Sequence, residues 1–248
     1  LTPSPILNAL STIRASGTRA LLMGGQACVL YGAAEFSRDT DLVVFADDDN
    51  LRRLAAAVAA LDAEVIAVPP FERRYLEAGH AVHFRCRAAG VAGLRIDVMA
   101  RLRGLPDFET LWSRRTTLET DDGSIEILSL PDLVTAKKTQ RDKDWPMITR
   151  LVEAHYAASE DRTDVRAIEF WLRELRTPPI LIDVAREAPR ASRALAGERP
   201  LLFHALAAEA EPLRLALRGE EDREREADRA YWEPLRRELE QLRHARRG

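Results

Sequence analysis

Two aspartates one residue apart, Asp39 and Asp41, stand at the head of the apolar run Leu42-Val43-Val44. Side chains alternate faces along a strand, so both carboxylates point the same way. Carboxylates placed like this can bridge two divalent cations ~3.5 to 4 Å apart, the geometry of two-metal phosphoryl and nucleotidyl transfer. An oxygen-only ligand set suits Mg2+ or Mn2+ better than Zn2+. Upstream, Gly24 and Gly25 follow the apolar stretch 20–23 and precede a compact helical stretch over 26–33. A strand that runs into Gly-Gly and then a helix start leaves backbone N–H groups bare, which makes a cradle for an anion. A third acid, Asp97, lies between Ile96 and Val98, so its side chain points to the face opposite theirs. An unpartnered acid on a strand otherwise built for burial would be costly, so Asp97 calls for a cation or a hydrogen-bond donor. Ser37 and Arg38 immediately precede the paired acids and could touch a phosphate.

Each of these residues also has a plainer reading. Gly-Gly can be a turn and nothing more, Asp39 and Asp41 can be solvated acids at a strand end, and Arg38 can pair with a neighbouring aspartate. Asp97 can be the partner of Arg95 or Arg101. His80 and His83 are three apart in a strand-like context and face opposite sides, which argues against a metal pair; both read as ordinary surface or core residues. Cys28 and Cys86 sit in apolar contexts without metal-ligand spacing, so a reduced, cytoplasmic protein is expected.

The elements that must position the acids follow from periodicity and caps. Ser4 and Pro5 open an amphipathic helix that stops at Gly17. Strands are expected at 20–23 and 40–45, with Asp47, Asp48 and Asp49 starting a helix whose apolar face carries Leu51, Leu54, Val58 and Leu61. A strand at 64–68, a hairpin of 80–87 with 92–99 turning near Gly90, a helix over 107–113 and a last strand at 124–128 complete the first half. Ser129-Leu-Pro-Asp132 is a capping-box pattern. Beyond it only helices are expected, at 131–141, 145–157, 164–175, 179–187, near 201–208, and from about 220 to the end. The fold class is therefore α+β: a mixed sheet domain over 1–128, then an all-helical domain over 129–248.

Composition narrows the partners. The 248 residues carry a net charge of -3, which excludes a generally basic nucleic-acid binder and leaves room for a local basic site. Of 37 basic residues only Lys137, Lys138 and Lys143 are lysine, and they lie within one short segment. No stretch is long and apolar enough to cross a bilayer, and the first residues lack the pattern of a secretory signal.

Gly-Gly, a helix, Asp-x-Asp on the next strand and a later strand Asp resemble the DNA polymerase β-like nucleotidyltransferase superfamily. The form GGQA…FSRDTDLVV is similar to its AbiEii-type toxin and minimal nucleotidyltransferase branches. The resemblance covers about residues 21–152. It implies a short mixed sheet, Asp39 and Asp41 as ligands of Mg2+ or Mn2+, and an NTP as substrate. It also implies that Asp97 ligates the catalytic metal and helps deprotonate an acceptor hydroxyl. The segment Lys137-Lys138-Thr-Gln-Arg141-Asp-Lys143-Asp144 is similar to the AbiEii-type pattern of a helix carrying Lys, then Arg, then a basic-Asp pair. Lys137 and Arg141, four apart on one helix face, would then grip a triphosphate while Asp144 orients a basic group or caps the next helix. The lysines can equally be a basic helix surface. Two positions depart from the pattern: Gln26, where many relatives carry Ser or Thr, and Met147, where AbiEii-type toxins often carry a second Asp. The acceptor stays open between tRNA or another cellular target, with a cognate antitoxin as partner, and a small hydroxyl-bearing antibiotic. A non-catalytic nucleotide-binding or antitoxin-like module is the rival from another class.

Overall fold

A computed structural model describes residues 4–120 and 123–247. In chain order the elements are α1 (Pro5–Ala15), β1 (Ala20–Met23), α2 (Gly24–Leu30), β2 (Asp39–Val44), α3 (Asp48–Ala60), β3 (Glu64–Val65), α4 (Arg73–Ala78), β4 (Val82–Arg85), β5 (Arg95–Met99), α5 (Phe108–Ser113), β6 (Thr116–Thr120), β7 (Gly123–Ile127) and α6 (Leu130–Ala136). Six helices follow: α7 (Asp144–Ala158), α8 (Val165–Glu174), α9 (Pro178–Glu187), α10 (Pro189–Leu195), α11 (Leu202–Leu206) and α12 (Ala210–Arg247). The chain is α+β, a mixed sheet followed by a helical C-terminal region. It groups into two compact units, Leu1–Ala136 with Ala230–Gly248, and Lys137–Arg229. The division thus falls after α6 and again within α12, not once near Ser129. Among the described residues no helix is long and apolar enough to cross a membrane.

Within the first unit the described strands form one sheet in the order β3-β4-β5-β2-β1-β7-β6. Its centre is mixed: β2 runs antiparallel to β1 and parallel to β5, and β1 runs parallel to β7. Thr40, Leu42, Val44, Ile96 and Val98 share one face of β2 and β5 and are buried there. The opposite face of the same strands carries Asp39, Asp41, Arg95 and Asp97 at one end and the buried Val43 and Met99 at the other. The alternation of apolar and acidic residues along β2 and β5 is thus resolved by putting the apolar set on the packed face and the acids on the face left half open.

A buried amide fixes the far end of this centre. Asn50, fully buried in the first turn of α3, accepts from the Arg19 N–H at 2.7 Å and donates to the carbonyls of Arg19 at 3.0 Å and Phe45 at 2.8 Å. It ties the entry of β1, the exit of β2 and the start of α3 together, while Asp47 caps α3 by accepting from the Asn50 N–H. The capping box at Ser129 forms as expected: the Asp132 N–H donates to Ser129 Oγ at 3.4 Å, and the Ser129 hydroxyl donates to the Asp132 carboxylate at 2.6 Å.

Several elements depart from the expected ones. Strand β6 has a single large apolar residue, Leu118, in an otherwise polar Thr-Thr-Leu-Glu-Thr, because it is an edge strand with alternating partial exposure. The expected strand at 64–68 shortens to two residues ahead of Pro69 and Pro70. Helices α4 and α10 were not expected, and α12 begins ten residues earlier than the charge pattern suggested. The helix expected over 131–141 ends at Ala136, for a reason that lies in Asp144 and is given below.

Candidate active site

The junction of β1 and α2 is shaped by Asp41. Gly24 has φ +69, and a Cβ placed there would sit 1.9 Å from Asp41 Oδ2 and 2.7 Å from Asp41 Cβ. The β1 end and β2 approach so closely that only glycine fits, in a backbone conformation that only glycine adopts freely. Beside it, a Cβ on Gly25 would lie 2.8 Å from Ser37 Oγ, and that hydroxyl donates to the Asp39 carbonyl at 3.1 Å. The bare backbone at the start of α2 is therefore lined by Ser37 and Asp41.

The strand register brings the third acid in. Asp41 is the direct neighbour of Asp97 across β2 and β5, and Asp39 is the neighbour of Arg95. On the other side of β5, Asp97 is level with His83 and Arg95 with Arg85. Neighbouring strands lie about 4.8 Å apart, so the carboxylates of Asp41 and Asp97 start from adjacent backbone positions on one face. The sequence reading set Asp39 with Asp41 on one face and Asp97 opposite Ile96 and Val98; the register joins the two and puts all three acids on a common face.

Asp97 is not bare. Arg95 grips it with two parallel hydrogen bonds, Nε to Oδ1 at 2.7 Å and Nη2 to Oδ2 at 2.8 Å. His83 Nδ1 lies 2.8 Å from Oδ1. The carboxylate beside it favours the tautomer with the proton on Nδ1, so His83 donates to Asp97, and the Arg95 nitrogen 3.0 Å away is a neighbour rather than its donor. Burial works against a charge on Asp97, but the hydrogen bonds from His83 and Arg95 prevail and hold its carboxyl below the ordinary carboxylate range. The same contact raises the Arg95 guanidinium, against its burial, and Asp39 and Asp41 add to the rise. Arg95 is thus a cation within electrostatic reach of all three acids. His83 corrects the expectation of an ordinary residue: it is a partner of Asp97. His80 lies outside β4, in the loop after α4, where strand alternation does not apply; it is buried, with Nε2 2.8 Å from a Glu238 oxygen.

The donor set, three carboxylates on two neighbouring strands, has the chemistry for Mg2+ or Mn2+. As arranged, however, no three histidine, cysteine, aspartate or glutamate side chains among the described residues converge as a metal site. Asp41 sets Oδ2 against Gly24, and Asp97 gives both oxygens to Arg95. Asp39 and Asp41 are the residues that could hold a cation from this arrangement.

Arg38 is exposed, and its guanidinium lies 5.9 Å from the centre of the Phe36 ring. Phe36 is itself 69% exposed, three residues before Asp39, and forms with Arg38 an aromatic-cationic surface on the loop that leads into the acids.

In the second unit, Lys137, Arg141 and Asp144 do come together, but around Asp144. Its carboxylate, 3% exposed, accepts from Lys137 Nζ at 3.2 Å, Thr139 Oγ1 at 2.6 Å and Arg141 Nε at 2.7 Å. Drawing donors from positions 137, 139 and 141 requires a turn where helix was expected. Lys137 and Arg141 therefore do not share a helix face, and tertiary hydrogen bonding overrides the helix preference of the segment. Asp144 belongs to the first turn of α7 and makes no side-chain cap; of the two roles expected for it, orienting basic groups is the one observed. Lys138 pairs with Glu174 at 2.7 Å.

No family model and no curated protein matches the chain. Among solved structures it is similar to an antigenic nucleotidyltransferase-like protein from Paracoccidioides brasiliensis, at 15% identity and a TM-score of 0.40, over 84% of this chain and 94% of that one.

Proposed function

We propose that the chain is a Mg2+- or Mn2+-dependent nucleotidyltransferase that moves a nucleoside monophosphate from an NTP to a hydroxyl acceptor. One observation carries the reading: Asp39, Asp41 and Asp97 share one face of two adjacent strands, beside a Gly-Gly junction that Asp41 itself keeps free of side chains. Asp39 and Asp41, with Asp97, would hold the divalent cation, which supplies charge neutralisation at the phosphates and polarises the phosphoryl oxygens. The N–H groups at the start of α2 and the Ser37 hydroxyl offer donors to phosphate oxygens. Asp97 takes the proton of the acceptor hydroxyl as its oxygen bonds to the α-phosphorus; the bond to the bridging oxygen breaks, and pyrophosphate leaves.

The exposed Phe36 with Arg38 beside it favours an acceptor that offers a planar base, because bases stack on aromatic rings and guanidinium planes. That favours tRNA or another RNA over a small antibiotic; the further reading as the toxin of a toxin–antitoxin pair, with an antitoxin as its protein partner, rests on the residue pattern GGQA…FSRDTDLVV alone. A second reading, nucleotide binding without transfer, draws on a different observation, the neutralisation of Asp97 by Arg95.

The test is incubation with each radiolabelled NTP, Mg2+ and total cellular RNA or lysate. Label should move to an acceptor, and the Asp41→Asn variant should be folded and transfer nothing. Undiminished labelling by that variant would sink the reading, and NTP binding without any labelled acceptor would favour the second one.

A further inference from the structure

We propose that Arg95 is a built-in counter-cation that couples metal binding to nucleotide binding by exchanging partners. The inference rests on the assignment of Asp39, Asp41 and Asp97 as the metal-holding acids, and it adds a positioning residue that regulates that site. Three carboxylates on one face repel each other unless a cation lies among them. Arg95 supplies it: it is the neighbour of Asp39 across the strands, it lies within the field of Asp41, and it holds both oxygens of Asp97. Three carboxylates set against one guanidinium leave two negative groups without a counter-charge, which one divalent cation balances.

The same contact weakens Asp97 as a ligand: Arg95 and His83 occupy both lone-pair directions of Oδ1 and one of Oδ2, and the guanidinium repels a second cation that approaches the direction left. A divalent cation that takes Asp97 as a full ligand therefore competes with Arg95 and, alone, breaks its two hydrogen bonds to Asp97 with nothing to replace them. A triphosphate removes that penalty by giving Arg95 new oxygens to bind while the metal replaces it on Asp97. Arg95 is suited to such an exchange because its side chain keeps 39% of its exposure, unlike the deeply buried basic groups of the second unit. His83 keeps Asp97 oriented through the exchange with its own hydrogen bond at 2.8 Å. By linkage, each ligand then tightens the other by the same factor.

The experiment is calorimetric titration of Mn2+ into the full chain, alone and with each of the four α,β-methylene NTPs, for the wild type and for Arg95→Gln and Arg95→Lys. At least one nucleotide analogue should tighten Mn2+ binding to the wild type by about tenfold or more. In R95Q, Mn2+ alone should bind about tenfold more tightly than in the wild type, and the further gain from the analogue should fall below about threefold. R95K keeps the charge but not the fork and should lie between the two. It also serves as the test if R95Q melts below the assay temperature. Equal Mn2+ affinity in wild type and variants, unchanged coupling in R95Q, or no coupling in the wild type would each overturn the exchange. The transfer assay is read separately: labelled acceptor with unchanged coupling in R95Q removes this inference alone. Altered coupling without any labelled acceptor removes the transfer reading and leaves the exchange in place.

Discussion

Asp97 in the first unit and Asp144 in the second are both aspartates set among basic side chains, and they are held in different ways. Asp97 projects from a strand, 16% exposed, and its partners Arg95 and His83 keep 39% and 27% of their exposure. Asp144 sits at the start of a helix, 3% exposed, with three donors from one turn, and its lysine is only 11% exposed. A carboxylate whose donors stay near solvent can trade them for a ligand. One enclosed with a buried ammonium cannot, because any departure leaves a charge without a counter-charge in a poorly solvated place. The first arrangement suits a working site, and the second suits a joint in the scaffold.

The sharpest way to break this contrast is Asp144→Ala. It strands Lys137, and unfolding in urea should show a loss of about 3 to 5 kcal/mol. Lys137→Met leaves Asp144 with Thr139 and Arg141, so about 2 kcal/mol is expected in the same measurement. Acid sharpens the contrast further. Although burial opposes its charge, the Lys137 charge, the Thr139 hydroxyl and Arg141 depress the Asp144 carboxyl below its ordinary value of 3.8. A depressed carboxylate contributes stability that is fully present above the unfolded value and is lost as the pH falls through the folded one. Unfolding free energy should therefore drop as the pH is lowered from 3.8, and Asp144→Asn should flatten that slope. Asp97→Asn should do the reverse of Asp144→Ala: transfer abolished, with stability within about 1 kcal/mol of wild type. Last, Arg141→Gln removes a guanidinium that is 56% exposed, and a loss below about 1 kcal/mol is expected. If Asp97→Asn unfolds the chain while Asp144→Ala does not, the contrast is inverted.

Much of the first unit was legible because alternation carries a face assignment. Asp39 could be set beside Asp41, and Asp97 opposite Ile96 and Val98, from their neighbours alone; the register then puts all three on one face. His83 was missed although its signal was present. A hairpin folded about Gly90 pairs residues equidistant from it, and His83 and Asp97 are each seven residues away. The spacing of His80 and His83 argued only against a metal pair and left both as ordinary residues, when the partner of His83 lay across the turn. Arg95 was named as a plain ion-pair partner of Asp97, and that pairing is seen; that it also feels Asp39 depends on β2 and β5 being neighbours, a contact no local pattern encodes. The segment 137–143 was illegible for the opposite reason: its residues favour helix, and one buried carboxylate from the next helix decides otherwise. Strand β6 gave no apolar stripe because an edge strand needs none.

The closeness of β1 and β2 also bears on how this chain can change over generations. A Cβ at position 24 would meet even the Cβ of residue 41, at 2.7 Å, so the two positions together have room for one side chain. A descendant that replaced Asp41 by alanine or asparagine would still need glycine at 24. Gly24 is therefore a mark of architecture, required whether or not residue 41 is an acid. Gly25, whose nearest obstacles are the Ser37 hydroxyl at 2.8 Å and the Ser37 Cβ at 3.3 Å, would be the first of the two to admit a side chain.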